Sequence, residues 1–182
     1  MKKLSGFIFH KLLGWKISGA FEPSIKKSVI IVVPHTSWHD FYIGILARKV
    51  LQISINYIAK KELFDSPIGW YFKWTGGAPI DRSKNLNTVE QITSIFASKK
   101  EFHLALAPEG TRKKTETWKS GFYYIALAAK VPIFRVAFDY KTKTVKIAKP
   151  FYPTGDYEKD LVELRSFFKG AVGKIPQYTA EI

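Results

Sequence analysis

The sequence predicts an α/β domain with a central, mostly parallel sheet flanked by helices. Short apolar runs rich in β-branched residues predict strands at 29–33, 53–59, 102–107, 132–138 and 144–148. Stretches with helical periodicity lie between or after them, at 40–51, 85–100, 121–130 and 156–169. Strands that alternate with helices favour a parallel sheet, and 182 residues suit one domain spanning 1–182. We therefore expect an α/β core over 28–182.

Residues 1–27 are expected to form an N-terminal amphipathic segment ahead of that core. Several apolar residues fall at helical spacing on one face, with lysines around them: Leu4, Phe7, Ile8, Leu12 and Trp15. This pattern favours a helix lying in a membrane interface, and equally an ordinary surface helix packed on the domain. Lysines interrupt the apolar part too often for a signal peptide, and no apolar run has the length of a membrane span.

The first core element is a strand that leads into a turn and a helix. Both faces of the run 29–33 are apolar, which is typical of a fully buried strand, and Pro34 ends it because proline cannot donate to the ladder. His35 then lies on the turn, and Asp40 opens the helix of 40–51. A carboxylate can hold a histidine in one tautomer and make it a general base. The alternatives are that Asp40 only caps the helix, or that His39 is the base.

The next stretch is rich in aromatic side chains. After the strand at 53–59, short helical pieces are predicted at 60–64 and 67–74, the second carrying Trp70, Tyr71 and Trp74. These rings are expected to line an apolar ligand site, to face a membrane, or to belong to the core. The glycine-rich residues 76–79 predict a turn, and 80–82 a brief strand that ends in Arg82.

Polar residues follow three of the predicted strands. Ligands bind at the carboxyl ends of parallel strands, where His35, Arg82 and the loop 108–112 would converge. Arg82 and Arg112 could bind a phosphate by charge-assisted hydrogen bonds, and Gly110 would let backbone N–H groups approach the anion. Glu109 is expected to orient Arg112 or to bind a substrate hydroxyl. The alternative for each arginine is a solvated surface charge.

Composition narrows the partners without choosing between them. The formal charge of +14 and the 15% aromatic content suit an anionic membrane surface or a single-stranded nucleic acid.

The chain has no Cys, which excludes disulfides, a thiol nucleophile and Cys-ligated zinc. Its four histidines show no metal-binding spacing, so no metal site is expected. No G-x-S-x-G elbow is present, which disfavours a covalent acyl-enzyme.

Four motifs together resemble those of the glycerolipid acyltransferases. They occur in the family's order at 35–40 (His35-x4-Asp40, with Ser37 inside), 76–82 (GGAPIDR), 108–112 (PEGTR) and 131–133 (VPI). The chain is similar to the short bacterial members that act on 1-acyl-sn-glycerol-3-phosphate, across about residues 29–140. Two places depart from the family pattern: Pro34 replaces a frequent Asn, and Arg135 lies within a strand that is usually apolar.

The resemblance implies a fold, a reaction and a set of site residues. The fold would be glycerol-3-phosphate acyltransferase-like. His35 would be the base that deprotonates the lysolipid hydroxyl and Asp40 its partner, with acyl-CoA or acyl-carrier protein as co-substrate and no cofactor. The substrate-binding residues would be Ser37, Arg82, Glu109, Gly110, Thr111, Arg112 and Pro132.

The resemblance also implies partners and a location. They would be a lysophospholipid acceptor, the acyl thioester and an anionic membrane surface, with no nucleic acid. The location would be the cytoplasmic face of the inner membrane, with peripheral or monotopic attachment. Two alternatives stay open: the same chemistry on another lysolipid acceptor, and a basic membrane- or nucleic-acid-binding module without catalysis.

Overall fold

A seven-stranded sheet organises the chain in the computed structural model, which describes residues 2–80 and 88–180. The strands are β1 (Lys16–Ser18), β2 (Lys27–Val33), β3 (Ile55–Lys60), β4 (Gly77–Ile80), β5 (Phe102–Leu106), β6 (Ile133–Asp139) and β7 (Thr144–Ile147). Their order across the sheet is β1-β7-β6-β2-β5-β3-β4. Only the β6–β7 pair is antiparallel among these neighbours, so the predicted mostly parallel sheet is confirmed.

Helices cover both faces of the sheet, as predicted. They are α1 (Lys2–Gly6), a π-helix that continues it (Phe7–Leu12), α2 (His39–Leu51), α3 (Lys61–Phe64), α4 (Gly69–Trp74), α5 (Thr88–Ser98), α6 (Gly121–Ala129) and α7 (Tyr157–Ser166). A 3-10 turn at Pro176–Tyr178 lies near the C-terminus. None of the helices within the described residues is long and apolar enough to cross a bilayer.

Two apolar layers lie on the two faces of the sheet. Successive residues of β2 point to opposite faces, so Val29 and Ile31 pack with α5, α6 and α7, while Ile30 faces α2 and the N-terminal helix. Fully buried residues such as Tyr123 and Leu164 fill the first layer. The second layer, beneath α2, contains the cavity described below.

The glycine-rich stretch at 76–79 was predicted as a turn, but most of it is strand. Gly77, Ala78 and Pro79 belong to β4, which pairs with β3 and ends the order of strands among the described residues. An edge strand tolerates proline because the missing N–H can face away from the ladder. The composition therefore indicated a turn where the sheet edge accommodates a strand. Residues 81 and 82 of the predicted brief strand lie outside the described residues.

The N-terminal segment is helical as predicted, but the predicted apolar face is divided between the core and solvent. Phe9 and Trp15 are in the core, whereas Leu4, Phe7 and Leu12 are exposed. The winding changes from α to π at Phe7, so a face calculated for an α-helix does not continue through the segment. The following residues form β1, which pairs with β7 and was not predicted.

The parallel strands β2, β5 and β6 bring three connections to one edge of the sheet. His35 follows the carboxyl end of β2, the loop 107–112 follows that of β5, and Tyr140 follows that of β6. The candidate site lies along this edge.

Candidate active site

The strand–turn–helix unit places His35 and Asp40 in direct contact. β2 ends at Val33 and α2 begins at His39, so the five-residue spacing spans a short loop and the first helical turn. Nδ1 of His35 lies 2.9 Å from Oδ2 of Asp40. The Asp40 side chain is buried, while that of His35 is 25% exposed. We refer to these two side chains as the dyad.

The Asp40 carboxylate is held by donors on both of its oxygens. Oδ2 also accepts the backbone N–H groups of Thr36 at 3.1 Å and Ser37 at 3.0 Å, and Oδ1 accepts the hydroxyl of Tyr140 at 2.7 Å. Because carboxylate oxygens only accept here, Nδ1 of His35 is the donor. In neutral imidazole this leaves the lone pair on Nε2, the nitrogen that a general base uses.

Tyr140 is a site residue that the motifs did not indicate. Burial raises the pKa of its phenol well above the ordinary value, and the hydrogen bond to Asp40 raises it further. The hydroxyl therefore stays protonated and donates. The sequence did offer one signal: Tyr140 lies two residues after the strand predicted at 132–138, and the carboxyl ends of parallel strands share an edge.

Glu109 connects the loop after β5 to the loop after β2. Its buried carboxylate accepts the backbone N–H of His35 at 2.7 Å. Burial raises the pKa of Glu109, and the bond from His35 partly offsets this. Across the described residues, Glu109 forms no ion pair with Arg112, so the expected orienting contact is replaced by one to the main chain of the dyad histidine.

Ser37 and His39 form a separate pair beside the dyad. The Ser37 hydroxyl lies 2.9 Å from Nδ1 of His39, and its own side chain is buried. The ring of His39 packs against that of Trp38, with centroids 4.2 Å apart. Nδ1 of His39 is therefore engaged by Ser37, whereas Nδ1 of His35 is the imidazole nitrogen that contacts Asp40. Substrate binding by Ser37 stays a prediction.

The loop 110–112 reaches the same part of the molecule. Gly110 has a φ of +64°, a left-handed conformation that favours glycine. Thr111 is exposed, and its Oγ1 accepts the backbone N–H of Lys113 at 3.2 Å. Arg112 is exposed and lines the same cavity as His35 and Asp40. The predicted partner Arg82 lies outside the described residues.

Pro132 is not brought to this group. It is buried immediately before β6, and its carbonyl accepts the N–H of Val29 near the start of β2. It therefore lies at the amino end of these parallel strands, whereas His35 lies at their carboxyl end. The motif at 131–133 marks a packing position at the entry of β6.

An apolar cavity of about 390 Å³ opens between α2 and the sheet. His35, Asp40 and Arg112 line it together with apolar side chains from α2 and five strands. Among the latter are Phe41, Val32, Tyr57, Leu106, Phe138 and Ile147. The dyad and the guanidinium of Arg112 thus share a cavity that is lined mainly by apolar side chains. Such a cavity can bind an amphiphilic phosphate ester, because it offers a cation to the phosphate and apolar surface to the hydrocarbon part.

No metal-binding cluster occurs in the described parts of the chain. No group of three or more His, Asp or Glu side chains is arranged there to hold an ion. The absence of a metal from the reaction stays a prediction.

Comparison with known proteins identifies the family. A sequence profile described as "Acyltransferase" matches residues 16–139, more than half of the chain. The chain belongs to the acyltransferase family. That match includes the dyad, Glu109 and Arg112, and it confirms the resemblance inferred from the four motifs.

Two bacterial relatives within the family carry the name 1-acyl-sn-glycerol-3-phosphate acyltransferase. The Streptococcus pneumoniae protein is 32% identical over 135 residues, 70% of this chain and 50% of that protein. The Bacillus subtilis protein is 32% identical over 111 residues, 60% of this chain and 54% of that protein. The chain therefore spans about half the length of these relatives.

A solved structure confirms that the fold is the one this family uses. The crystal structure of the 1-acyl-sn-glycerophosphate acyltransferase from Thermotoga maritima aligns with a TM-score of 0.64 and 19% identity. The alignment covers 91% of this chain and 74% of that one.

Proposed function

We propose that this chain transfers a fatty acyl group from an acyl thioester to the free hydroxyl of 1-acyl-sn-glycerol-3-phosphate, forming phosphatidic acid. The observation that carries the proposal is the His35–Asp40 contact of 2.9 Å at a cavity that Arg112 also lines. Family membership and the names of the relatives support the same reaction.

The proposed reaction follows from the direction of the hydrogen bonds. Nε2 of His35 accepts the proton of the lysolipid hydroxyl while the oxygen bonds to the thioester carbonyl carbon. The tetrahedral intermediate then collapses with cleavage of the C–S bond, and the imidazolium returns its proton to the leaving thiolate. The products are an ester and a free thiol. Asp40 stabilises the imidazolium through Nδ1, and general base catalysis of this kind contributes about 10²–10⁴-fold.

We assign the phosphate, the acyl chain and the acyl donor to the parts of the chain whose chemistry complements them. Arg112 offers a planar pair of donors to the acceptor's phosphate, and Arg82 is proposed as its partner. The apolar lining of the cavity suits an acyl chain, because burying each methylene contributes about 0.8 kcal/mol. The donor is acyl-CoA or acyl-carrier protein, both of which are anionic and complement a chain of net charge +14.

A direct assay tests this function. The purified chain is incubated with lysophosphatidate and palmitoyl-CoA, and both phosphatidate and free thiol are measured. His35→Ala is expected to lower kcat by at least about 10²-fold, whereas His39→Ala, the matched histidine outside the dyad, keeps kcat within a few-fold. Thermal unfolding checks that both variants fold. A folded His35→Ala variant with full activity would refute the mechanism, and transfer only to phosphate-free lysolipids would refute the role of Arg112.

We also propose peripheral attachment to an anionic membrane, at the cytoplasmic face of the inner membrane. Leu4, Phe7 and Leu12 project from the N-terminal helix into solvent, and Lys3 and Lys11 are exposed beside them. Such an apolar face with flanking cations suits the head-group region.

Vesicle sedimentation tests the attachment. Replacing Leu4, Phe7 and Leu12 by Ser is expected to weaken binding to phosphatidylglycerol vesicles. The control is Val162→Ser, which removes an apolar side chain that is 72% exposed on α7, in the opposite helical layer. Equal binding by the triple variant and the wild type would exclude the N-terminal face as the contact.

A further inference from the structure

Tyr140 reaches the dyad from a part of the chain that lies outside the four motifs. Its hydroxyl donates to Oδ1 of Asp40 at 2.7 Å. The other three donors, from His35, Thr36 and Ser37, all bind Oδ2. Tyr140 is therefore the one side chain in the described residues that holds the second oxygen of this carboxylate.

The phenol is itself held from several directions. The backbone N–H of Tyr140 donates to the carbonyl of Val172 at 2.8 Å. Its ring packs edge-on against Trp15, with centroids 4.8 Å apart, and Nζ of Lys174 lies 5.9 Å from the ring centroid. Contacts from both ends of the chain thus fix the direction in which the hydroxyl points.

We propose that Tyr140 is a positioning residue for the dyad: it fixes the plane of the Asp40 carboxylate so that Oδ2 faces Nδ1 of His35. This role rests on the function proposed above. Rotation about the Cβ–Cγ bond of Asp40 would carry Oδ2 away from Nδ1 of His35, and the Tyr140 bond to Oδ1 opposes that rotation from the other oxygen. The imidazole is then held with Nε2 available to the substrate hydroxyl. Misplacement of a reacting group by about 1 Å can cost about 10²-fold in rate.

A second tyrosine–aspartate pair provides a matched control. Tyr123 donates to Oδ2 of Asp160 at 2.8 Å, in the layer beneath α6 and α7. Asp160 also accepts the backbone N–H and hydroxyl of Thr154. The bond has the same chemistry and nearly the same length as that of Tyr140, but it lies away from the cavity.

The experiment compares Tyr140→Phe with Tyr123→Phe in the lysophosphatidate and palmitoyl-CoA assay. Tyr140→Phe is expected to lower kcat about ten- to a hundredfold while KM for both substrates stays within about twofold. Tyr123→Phe is expected to lower the unfolding temperature and to leave kcat unchanged. Wild-type kcat in Tyr140→Phe would overturn the proposal.

Two further measurements separate positioning from a general structural effect. If Tyr140 acts through Asp40, adding Tyr140→Phe to Asp40→Asn slows the enzyme no further, whereas additive losses would overturn the proposal. The ¹H–¹⁵N resonance of His35 Nδ1–H is expected to shift in Tyr140→Phe and not in Tyr123→Phe. This resonance does not depend on turnover, so it tests Tyr140 even if the protein transfers no acyl group and the proposed function fails. An unshifted resonance refutes the positioning role.

Discussion

Substituting Gly173 by Ala should displace the loop that carries the dyad. Gly173 lies after α7 and packs directly on Thr36, a buried residue of that loop. A Cβ built at Gly173 would lie 2.5 Å from Oγ1 and 2.6 Å from Cγ2 of Thr36. Carbon atoms in contact are about 3.5–4.0 Å apart, so the two residues must separate by about 1 Å. The backbone of Gly173 is not left-handed, which leaves this clash as the main effect.

The displacement acts on both stability and catalysis. The Thr36 hydroxyl accepts the N–H of Ile175 at 3.1 Å, and the Thr36 N–H donates to Asp40. Overpacking of this kind costs about 1–3 kcal/mol of unfolding free energy. A shift of about 1 Å next to the dyad should lower kcat about 10²-fold. Urea unfolding and the rate of thiol release from palmitoyl-CoA measure the two effects.

Two further variants make this prediction refutable. Gly121→Ala is the control, since a Cβ there has no atom within 4 Å. Thr36→Ala removes the two nearest atoms that the new methyl group meets and leaves Oγ1 of Thr179 at 3.1 Å, so Gly173→Ala should cost less when it is added to Thr36→Ala. Equal losses in the two backgrounds would show that contact with Thr36 is not the cause.

Three other substitutions are expected to change either the free energy of unfolding or the rate of acyl transfer. Asp139 is buried, which raises its pKa, but Thr142 and Lys146 more than offset this and the net pKa is lowered. Its stabilising effect is therefore present above the ordinary aspartate pKa and is lost as pH falls through the lowered value. Asp139→Asn should lower the unfolding free energy by about 1–3 kcal/mol at pH 7 and flatten its fall with acid, as measured by urea unfolding between pH 3 and 7. Asp156 caps α7 by accepting the Lys159 N–H at 3.2 Å, so Asp156→Ala should cost about 1 kcal/mol in the same experiment without changing kcat. Gly44 lines the cavity beneath α2, and Gly44→Leu should slow transfer from palmitoyl-CoA more than from octanoyl-CoA, an outcome that equal slowing would contradict.

The parts of the fold and site that depend on nearby residues could be predicted from the sequence. The apolar run before Pro34 and the periodicity after Asp40 predicted the strand–turn–helix unit, and the five-residue spacing across it predicted the dyad. The order of strands and helices predicted the parallel sheet. In each case the determining residues are close in the chain, so local patterns were sufficient.

The missed features depend on contacts between distant segments. Tyr140 lies 100 residues from Asp40, and no spacing rule joins them. Pro132 was assigned to substrate binding by the family resemblance, although it begins the strand predicted at 132–138 and so lies at the amino end of that strand. The Gly77–Pro79 stretch read as a turn, since only the assembled sheet shows that it forms an edge.

The bonds from Tyr140 and Ile175 have a consequence for synthesis of the protein. The imidazole of His35 contacts Asp40, and the backbone N–H of His35 donates to Glu109, so both partners of this residue lie within residues 40–109. The outer supports of the dyad, at 140 and 172–175, are synthesised after those residues. A nascent chain that still lacks them would display the motif residues without the support that holds them in register. Catalytic competence is therefore expected only after residues 172–175 have docked.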